Sequence, residues 1–279
     1  MSQIAAVFDS DFIIKTYNSV NTQKVHLCDK VFLLKYSFYC HEQITLELPR
    51  HSSDSADWLH EKIRTGNVNC YSDEDLLLEI QKAFSITLEN ALNFYCDYLK
   101  QSCDIFSRSF YDNYYSDLDK LKKSTKLTLQ KFKITVKNCD CKIGNKNNLG
   151  EIKDTLLSIV LNKCLAINTF QFCSDDKKAR KSILAFIENS VFHLRCISYM
   201  GFFWIAKKKC LLTKTEEKDF LNGWKNFATS KKVGTNITLK KIVNNQPQYF
   251  TESIDSIFDA IWNDSIELGN DGFLFYKKS

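Results

Sequence analysis

The sequence predicts an α/β protein with three layers, in which helices cover both faces of a central parallel sheet. Two observations predict this class. Short continuous apolar runs, such as residues 4–8 (IAAVF), are typical of strands that are buried on both faces of a parallel sheet. These runs alternate with longer segments whose apolar residues recur every three or four positions, the spacing of an amphipathic helix.

The composition fits a chain that buries a large core. The chain has 279 residues, of which 44% are hydrophobic, and only 2 prolines and 8 glycines, which argues against long linkers. Its 11 cysteines are scattered through apolar runs, and there is no signal peptide or long apolar span. We therefore expect reduced thiols, a cytoplasmic location and no membrane partner. The net charge of +5 permits a polyanionic partner without requiring one.

The first strand places acidic residues at its carboxyl end. The run 4–8 is followed by Asp9, Ser10 and Asp11, after which a new apolar run begins. Open α/β sheets bind their ligands at this edge, so Asp9 is a candidate site residue, and Asp11 is an additional acid near it. The alternative is that these residues only cap the helix that follows.

The next unit carries a second candidate acid. Residues 38–40 are typical of a strand, and 41–48 of a helix in which Ile44 and Leu48 face inward, so that Glu47 lies beside the buried face. A loop at 51–56, a helix around 58–63 and a third strand at 67–71 are expected next. This succession of strands and helices favours a parallel sheet.

Residues 72–133 have a different character. Their apolar residues follow helical spacing, which predicts two long helices, an antiparallel hairpin inserted into the α/β domain. Residues 120–146 contain nine lysines and one acid, Asp140. These lysines form either a solvated helix face or a groove for a phosphate backbone. Cys139 and Cys141 could suggest zinc, but no second pair of ligands follows at a suitable spacing, so a plain loop is favoured.

A later segment brings three further acids. Apolar residues between 154 and 165 recur at helical spacing, and Glu151 lies in the first turn of this helix, where the helix dipole favours a carboxylate. A strand at 164–173 is followed by Ser174, Asp175 and Asp176 and then by a basic run. We expect Glu151 and the two aspartates to meet at the edge that carries Asp9.

Beyond residue 180 we expect mainly helices. They are predicted at 183–199, at 202–212 after a bend or close contact at Gly201, and from Thr215 to about Ala228. The tail around 237–239 and 254–262 is expected to pack on the sheet edge or to bind a partner. Residues 273–276 are apolar enough to suggest an interface or a last strand.

Together these motifs resemble a PIN domain. The resemblance rests on Asp9 after the first strand, Glu47 on the next helix, Leu149-Gly150-Glu151 opening a later helix, and the run Ser174-Asp175-Asp176-Lys177-Lys178-Ala179-Arg180 after the next strand. Residues 196–212 look like a downstream segment of the same group. The likeness is closest to the bacterial and archaeal PIN-like proteins of the toxin type. It implies a three-layer PIN-like fold, with the nuclease domain in 1–71 and 134–228, a helical insertion at 72–133 and a C-terminal extension at 229–279.

The resemblance implies a metal-dependent endoribonuclease that hydrolyses RNA phosphodiester bonds. Asp9, Glu47, Glu151 and Asp175 or Asp176 would hold Mg²⁺ or Mn²⁺, which prefer oxygen ligands. The supporting residues would be Ser174, Asp11 and Asp154. Nucleic acid, with RNA as the expected partner and single-stranded DNA as the alternative, would be bound by the basic residues Lys122, Lys123, Lys126, Lys131, Lys133, Lys177, Lys178 and Arg180. A regulatory protein partner and a homo-oligomer are also compatible with the resemblance, as is the role of a toxin or an anti-phage effector.

One position departs from the family pattern. An acid often follows the Glu of the third motif by two residues, where this chain has Lys153, and Asp154 is the candidate substitute. The departure leaves a second hypothesis open, a catalytically silent PIN scaffold that binds RNA or a protein partner. A DNA nuclease related to the flap endonucleases is a third, but it calls for a richer acid cluster.

Overall fold

The computed structural model describes residues 4–19, 25–34, 36–124, 126–143, 148–167, 169–187, 193–230 and 236–277. These residues form nine strands and fourteen helices. The strands are β1 (Ile4–Phe8), β2 (Ser37–His41), β3 (Val68–Tyr71), β4 (Thr169–Cys173), β5 (His193–Ile197), β6 (Asn236–Val243), β7 (Gln246–Ser253), β8 (Ile266–Leu268) and β9 (Leu274–Tyr276). The helices are α1 (Ser10–Asn18), α2 (Leu27–Val31), α3 (Glu42–His51), α4 (Ser53–Arg64), α5 (Asp73–Phe84), α6 (Leu88–Phe106), α7 (Phe110–Tyr114), α8 (Ser116–Lys122), α9 (Leu129–Ile143), α10 (Leu149–Leu165), α11 (Lys177–Ile187), α12 (Tyr199–Lys208), α13 (Lys214–Ser230) and α14 (Ile254–Trp262).

The central sheet has five parallel strands in the order β3-β2-β1-β4-β5. Side chains of β1 alternate between two hydrophobic cores: Ala6 and Phe8 contribute to one, and Ala5 and Val7 to the other. Helices α1–α4, α12 and α13 cover the first face, and α5–α11 cover the second. The predicted α/β class and the parallel central sheet are confirmed, because β1 is buried on both sides as its continuous apolar run requires.

The segment 183–199 was predicted as one helix, and this prediction is wrong. The chain forms α11 up to Ile187 and then β5, which pairs in parallel with β4 so that Cys196 lies opposite Phe172. A short apolar run cannot be assigned to helix or strand from its spacing alone. Here the residues form a strand, because they pair with the edge of β4 that β1 does not cover.

Two smaller boundaries also differ. The strand predicted at 164–173 is confined to β4, because α10 continues to Leu165 and ends at Ala166 in a left-handed conformation (φ 52°). The loop predicted at 51–56 is the junction of α3 and α4, where the Ser52 side chain accepts a hydrogen bond from the Ser55 backbone N–H. That capping bond allows α4 to begin several residues earlier than expected.

The segment 72–133 holds five helices, α5–α9, and not a two-helix hairpin. The predicted boundary at residue 133 falls inside α9, which buries Phe132 and Val136 in the same core as α5, α6 and α10. The helices therefore form the second covering layer of the sheet. The Cys139–Cys141 segment is part of α9 and not a loop, with Cys139 buried and Cys141 exposed.

The C-terminal residues form a second sheet in the order β7-β6-β9-β8, together with α14. Leu239, Ile257 and Leu268 share the hydrophobic core with Phe203 of α12, so this segment packs on the α/β domain. The turn before β9 contacts β5 directly: a Cβ at Gly272 (φ +90°) would lie 2.4 Å from the Cys196 carbonyl oxygen. Only glycine suits this close approach and this backbone conformation.

None of the helices in the described part of the chain has the length and apolar character needed to cross a membrane. All 11 cysteines are free thiols.

Candidate active site

The predicted acids lie at the point where the strand order of the central sheet reverses. β1 has β2 on one side and β4 on the other, and the connection from β1 leads to β2 while β4 is reached only after α10. Asp9 directly follows β1, and Ser174, Asp175 and Asp176 follow β4, so all four leave the sheet at its carboxyl edge. In open α/β sheets this topological switch point is where ligands bind.

Asp9 is the most enclosed of these carboxylates, with 2% of its surface exposed. Its Oδ1 accepts a hydrogen bond from the Ser10 backbone N–H (2.7 Å), and its Oδ2 accepts one from the Ser174 hydroxyl (2.6 Å). Asp9 therefore caps α1, as one hypothesis predicted, and faces the end of β4 as well. Burial, followed by the negative charges of Glu151 and Asp11, raises the pKa of Asp9 well above its usual value.

Ser174 connects the two strand ends. It is fully buried, and its hydroxyl oxygen accepts a hydrogen bond from the Asp176 backbone N–H (3.1 Å) while donating to Asp9. Asp176 in turn caps α11, because its Oδ1 accepts hydrogen bonds from the backbone N–H groups of Lys178 and Ala179. The serine thus holds two acidic residues in fixed relation to each other.

Asp175 turns toward α1 and α12. Its Oδ1 accepts a hydrogen bond from the Tyr199 backbone N–H (3.1 Å), and its Oδ2 lies 3.5 Å from the Lys15 ammonium. That distance and geometry make an ion pair without a hydrogen bond, so Oδ2 is buried with no hydrogen-bond partner. The residue Lys15, which sequence reasoning missed, therefore supplies a positive charge at the margin of the acid cluster.

Glu47 approaches the start of α10. Its Oε1 accepts a hydrogen bond from the Gln43 side chain (2.8 Å), and a Cβ on Gly150 would lie 2.7 Å from its Oε2. Burial raises the pKa of Glu47, and the bonds from Gln43 and the Gly150 backbone only partly offset this. The glycine that precedes Glu151 is therefore the residue that leaves room for the Glu47 carboxylate.

Glu151 lies in the first turn of α10 and is half-buried. Burial, together with the negative charges of Glu47, Asp176 and Asp11, raises the pKa of Glu151 to about 7, although its own backbone N–H has an opposing effect. Its carboxyl group is thus within electrostatic range of acids from three other segments.

Asp154 and Lys153 project from α10 in different directions. Asp154 is fully buried, and its Oδ1 accepts a hydrogen bond from the His41 backbone N–H at the end of β2 (2.9 Å). Burial, followed by the charges of Asp9, Glu47 and Glu151, raises the pKa of Asp154 well above its usual value. Asp154 is therefore within electrostatic range of the cluster, and its substitution for the missing acid stays a prediction.

Lys153 points away from the cluster. Its ammonium lies 2.8 Å from Asp73 and 3.1 Å from Asp140, both of which belong to the helical layer. The lysine in place of a family acid therefore brings no positive charge to the candidate site.

Asp11 is exposed in the first turn of α1. Partial removal from water, followed by the charges of Asp175 and Asp176, raises the pKa of Asp11, while Lys15 opposes this. Asp11 thus lies at the mouth of the cluster, where it can take part in binding without being enclosed.

The acids influence one another but do not form a finished metal site. In the part of the chain that the structure describes, no group of three or more His, Cys, Asp or Glu side chains is arranged to hold a metal ion as it stands. Hydrogen bonds from the protein already occupy several of the oxygens, including both oxygens of Asp9. A cation bound here would have to share these oxygens or be reached in part through water molecules.

The basic residues predicted to bind nucleic acid fall into separate groups. Lys177 is half-buried and Lys178 exposed at the start of α11, next to Asp176. Arg180 does not fit the prediction, because it is only 3% exposed and its guanidinium lies 4.4 Å from the centre of the Phe273 ring. Arg180 therefore joins α11 to the residue directly before β9, and a buried guanidinium is not available to a phosphate backbone.

The lysines of the helical layer point to two sides of α9. Lys133 faces α3 and forms an ion pair with Glu74 (2.7 Å). Lys122 pairs with Asp119, and the Lys131 ammonium donates to the Lys126 carbonyl oxygen. Helix α8 contacts the opposite side of α9, so Lys122 and the nearby Lys123 and Lys126 do not share a groove with Lys133. Among the described residues of 120–146, the lysines therefore do not line one continuous groove, which favours the alternative of a solvated helix face.

Comparison with known proteins finds no protein-family model, no curated protein and no solved structure that matches this chain. The likeness to PIN domains thus stays a prediction from the motifs.

Proposed function

We propose that this protein is a metal-dependent endoribonuclease of the PIN type. The observation that carries the proposal is the convergence of acids from four segments at the switch point of the sheet: Asp9, Glu47, Glu151 and the Asp175–Asp176 pair. Charges of one sign that raise one another's pKa are costly to hold together, and a bound cation removes that cost.

The donor set suits a hard divalent cation such as Mg²⁺ or Mn²⁺. All candidate ligands are carboxylate oxygens, and Oδ2 of Asp154 and Oδ2 of Asp175 are buried without a hydrogen-bond partner. Asp9, Glu47, Glu151, Asp175 and Asp176 would hold the ion. When bound, it would lower the pKa of a water molecule and offset the charge that develops on the phosphate.

The protein's own contribution is to hold the carboxylates in position. The Ser174 hydroxyl orients Asp9, and the hydrogen bond between Asp154 and the His41 backbone fixes α10 against β2. The Lys15 ammonium beside Asp175 limits the negative charge on that side. These contacts fix part of the donor set in place before the cation and substrate arrive, and the oxygens that the protein already occupies would be shared with the cation or reached through water.

Incubation of the purified chain with mixed RNA and with single-stranded DNA tests the proposal. We expect RNA cleavage with Mn²⁺ or Mg²⁺ and none with EDTA. Cleavage that persists in EDTA contradicts the proposed activity. So does the absence of cleavage with both metals. Faster cleavage of the DNA would keep the metal-dependent chemistry but exclude RNA as the preferred substrate.

A catalytically silent scaffold is the second candidate. It is favoured by the absence, among the described residues, of a ready-made group of three metal-binding side chains. Thermal melting distinguishes the two functions, because a ligand that binds only the folded state raises the melting temperature. A scaffold would bind RNA with no shift on addition of Mn²⁺, whereas the nuclease should melt at a higher temperature with the metal.

The stabilisation by Mg²⁺ should increase with pH. The pKa of Glu151 is raised to about 7, so the group is mostly protonated at pH 6 and mostly ionised at pH 8. A cation competes with that proton, so apparent affinity should fall up to about tenfold per pH unit below 7. Melting temperatures with and without Mg²⁺ at the two pH values measure this. Equal shifts at pH 6 and pH 8 would mean that Glu151 is not a ligand.

Replacing Gly150 with alanine should weaken the site without unfolding the protein. Alanine is favoured over glycine inside a helix by roughly 0.5–1 kcal/mol, but its Cβ would lie 2.7 Å from Glu47 Oε2 and displace that carboxylate. We expect cleavage to drop by about tenfold or more, since misplacing a group by about 1 Å has effects of this size. The Gly223→Ala variant is the control for glycine replacement within a helix, because Gly223 lies inside α13, which carries none of the proposed ligands. Unchanged cleavage in Gly150→Ala would remove Glu47 from the site.

A further inference from the structure

A cleft of about 510 Å³ lies between α3 and α9, beside the acid cluster. Its volume falls within the range of roughly 300–1,000 Å³ that is usual for small-molecule sites. Gln43 lines the cleft and also donates its side-chain hydrogen bond to Glu47. Leu149, another lining residue, directly precedes Gly150 and Glu151. The cleft and the acid cluster therefore share a wall.

The floor of the cleft offers a buried hydrogen-bond donor. His41 is 2% exposed, and its Nδ1 accepts a hydrogen bond from the Gln43 backbone N–H (3.1 Å), so the proton of a neutral ring resides on Nε2. That Nε2 is buried without a hydrogen-bond partner, and the nearest carboxylate oxygen, of Asp73, is 3.4 Å away. A ligand that brings an acceptor to the floor would satisfy this group.

The walls are apolar and the rim is charged. Leu46 lines the cleft and is 56% exposed, and Val136 and Leu149 add apolar surface. The cations Arg50, Lys133 and Lys137 stand with the carboxylates of Glu42 and Glu74 among the lining residues. Lys133 is paired with Glu74, whereas Lys137 is exposed and makes no ion pair with any residue that the structure describes.

We propose that this cleft binds one nucleotide of single-stranded RNA, next to the bond that the acid cluster would cut. A nucleobase has apolar faces and a polar edge, which match the leucine-lined walls and the His41 donor. The phosphate is directed to Lys137 and Arg50 at the rim, because the carboxylates of Asp73 and Asp140 near the floor repel an anion. This inference rests on the proposed function for the position of the cut, but nucleotide binding itself needs no metal.

Equilibrium binding of a fluorescently labelled, mixed-sequence single-stranded RNA to the full chain in EDTA tests the inference. EDTA suppresses cleavage, so anisotropy reports binding alone. The variants are Leu46→Ala and Lys137→Ala. Their matched controls are Ile134→Ala on α9 and Lys163→Ala on α10, because Ile134 is 51% exposed and Lys163 is exposed, and neither lines the cleft.

We expect Leu46→Ala to raise Kd by about fivefold or more, because it removes apolar surface that a bound base would cover. Lys137→Ala should raise Kd by a smaller factor. It should also reduce the slope of log Kd against log salt concentration by about the amount that one phosphate contact contributes. Both controls should stay within about twofold of the parent chain, since contacts outside the cleft contribute little.

The outcomes separate this inference from the nuclease proposal. If both cleft variants bind RNA as tightly as the controls, the cleft is not a nucleotide site, whether or not the protein cleaves RNA with Mn²⁺. If the cleft variants lose affinity and the parent chain cuts nothing with any metal, the nucleotide site stands and the nuclease proposal fails. A parent chain that does not bind RNA at all overturns the inference.

Discussion

The Asp9→Asn variant should lose at least about 100-fold of the Mn²⁺-dependent RNA cleavage. Replacing groups that merely support metal ligands costs 10–100-fold, and Asp9 is proposed as a ligand itself. Asparagine keeps the size of the side chain and an oxygen that can accept the Ser10 hydrogen bond. The loss should therefore come from the missing charge and not from misfolding.

The same variant should be more stable than the parent chain when no metal is present. Burial and neighbouring acids raise the pKa of Asp9 in the folded state, so folding with an ionised Asp9 becomes less favourable as pH rises above the pKa of the unfolded chain. Asparagine removes this penalty. In EDTA at pH 8, we expect Asp9→Asn to melt at a higher temperature than the parent chain. The increase should be roughly 2–4 °C for each kcal/mol by which the free energy of unfolding rises.

The opposite signs of the two effects make the test specific. Asp97→Asn is the control, because Asp97 is an exposed aspartate on α6, a helix that carries none of the candidate acids. It should change neither cleavage nor melting. A less stable Asp9→Asn protein would mean that Asp9 acts only as a helix cap. Full cleavage by this variant would end its assignment as a ligand.

The central sheet could be predicted in large part from the sequence because its strands are short apolar runs buried on both faces. Residues 4–8 were assigned with both ends correct. β5 could not be predicted, because the five residues HLRCI are too few to distinguish a strand from part of a helix, and the pairing with β4 depends on residues far away in the chain. The five helices of the insertion were merged into two for a similar reason: helical spacing continues across short breaks.

The candidate site was predictable where an acid directly follows a strand. Asp9, Asp175 and Asp176 needed only the rule that parallel strands end at a common edge. Glu47 and Glu151 were named from the motif resemblance, whereas the close approach of Gly150 to the Glu47 carboxylate could not be predicted from the sequence. Arg180 was misjudged because the Phe273 ring that it contacts lies far away in the sequence, directly before β9.

Lys153 illustrates a role that no motif could predict. It is fully buried, and its ammonium lies between Asp73 and Asp140, which also accept hydrogen bonds from the hydroxyls of Tyr95 (2.5 Å) and Tyr115 (2.6 Å). Burial alone would lower the pKa of Lys153, but the two carboxylates outweigh it and raise that pKa. The two acids differ: burial dominates at Asp140 and raises its pKa, whereas at Asp73 burial is outweighed, chiefly by the charge of Lys153, and the pKa is lowered. We favour an ionised Asp73, because the Lys153 ammonium and the Tyr95 hydroxyl both donate hydrogen bonds to it.

Replacing Lys153 with methionine should therefore cost about 3–5 kcal/mol of the free energy of unfolding, measured by chemical denaturation at pH 7. Methionine fills a similar volume, but it leaves two carboxyl groups in the helical layer without their cation, and an unpaired buried charge is the costly outcome. Lys163→Met on the same helix α10 is the control, since Lys163 is exposed. We expect that control to stay within about 0.5 kcal/mol of the parent.

Two further measurements distinguish charge pairing from simple packing. The triple variant Lys153→Met, Asp73→Asn, Asp140→Asn should recover about half or more of the loss, because removing all the charges of a buried group is much less costly than removing one. The pKa of Asp73 is lowered in the folded state, so ionised Asp73 stabilises the fold at pH values above the unfolded pKa of about 4. This stabilisation is lost as the pH falls below that value. The difference between the parent and Lys153→Met should accordingly shrink on acidification. A difference that is independent of pH, and no recovery in the triple variant, would show that Lys153 stabilises this layer through its aliphatic chain and not through its charge.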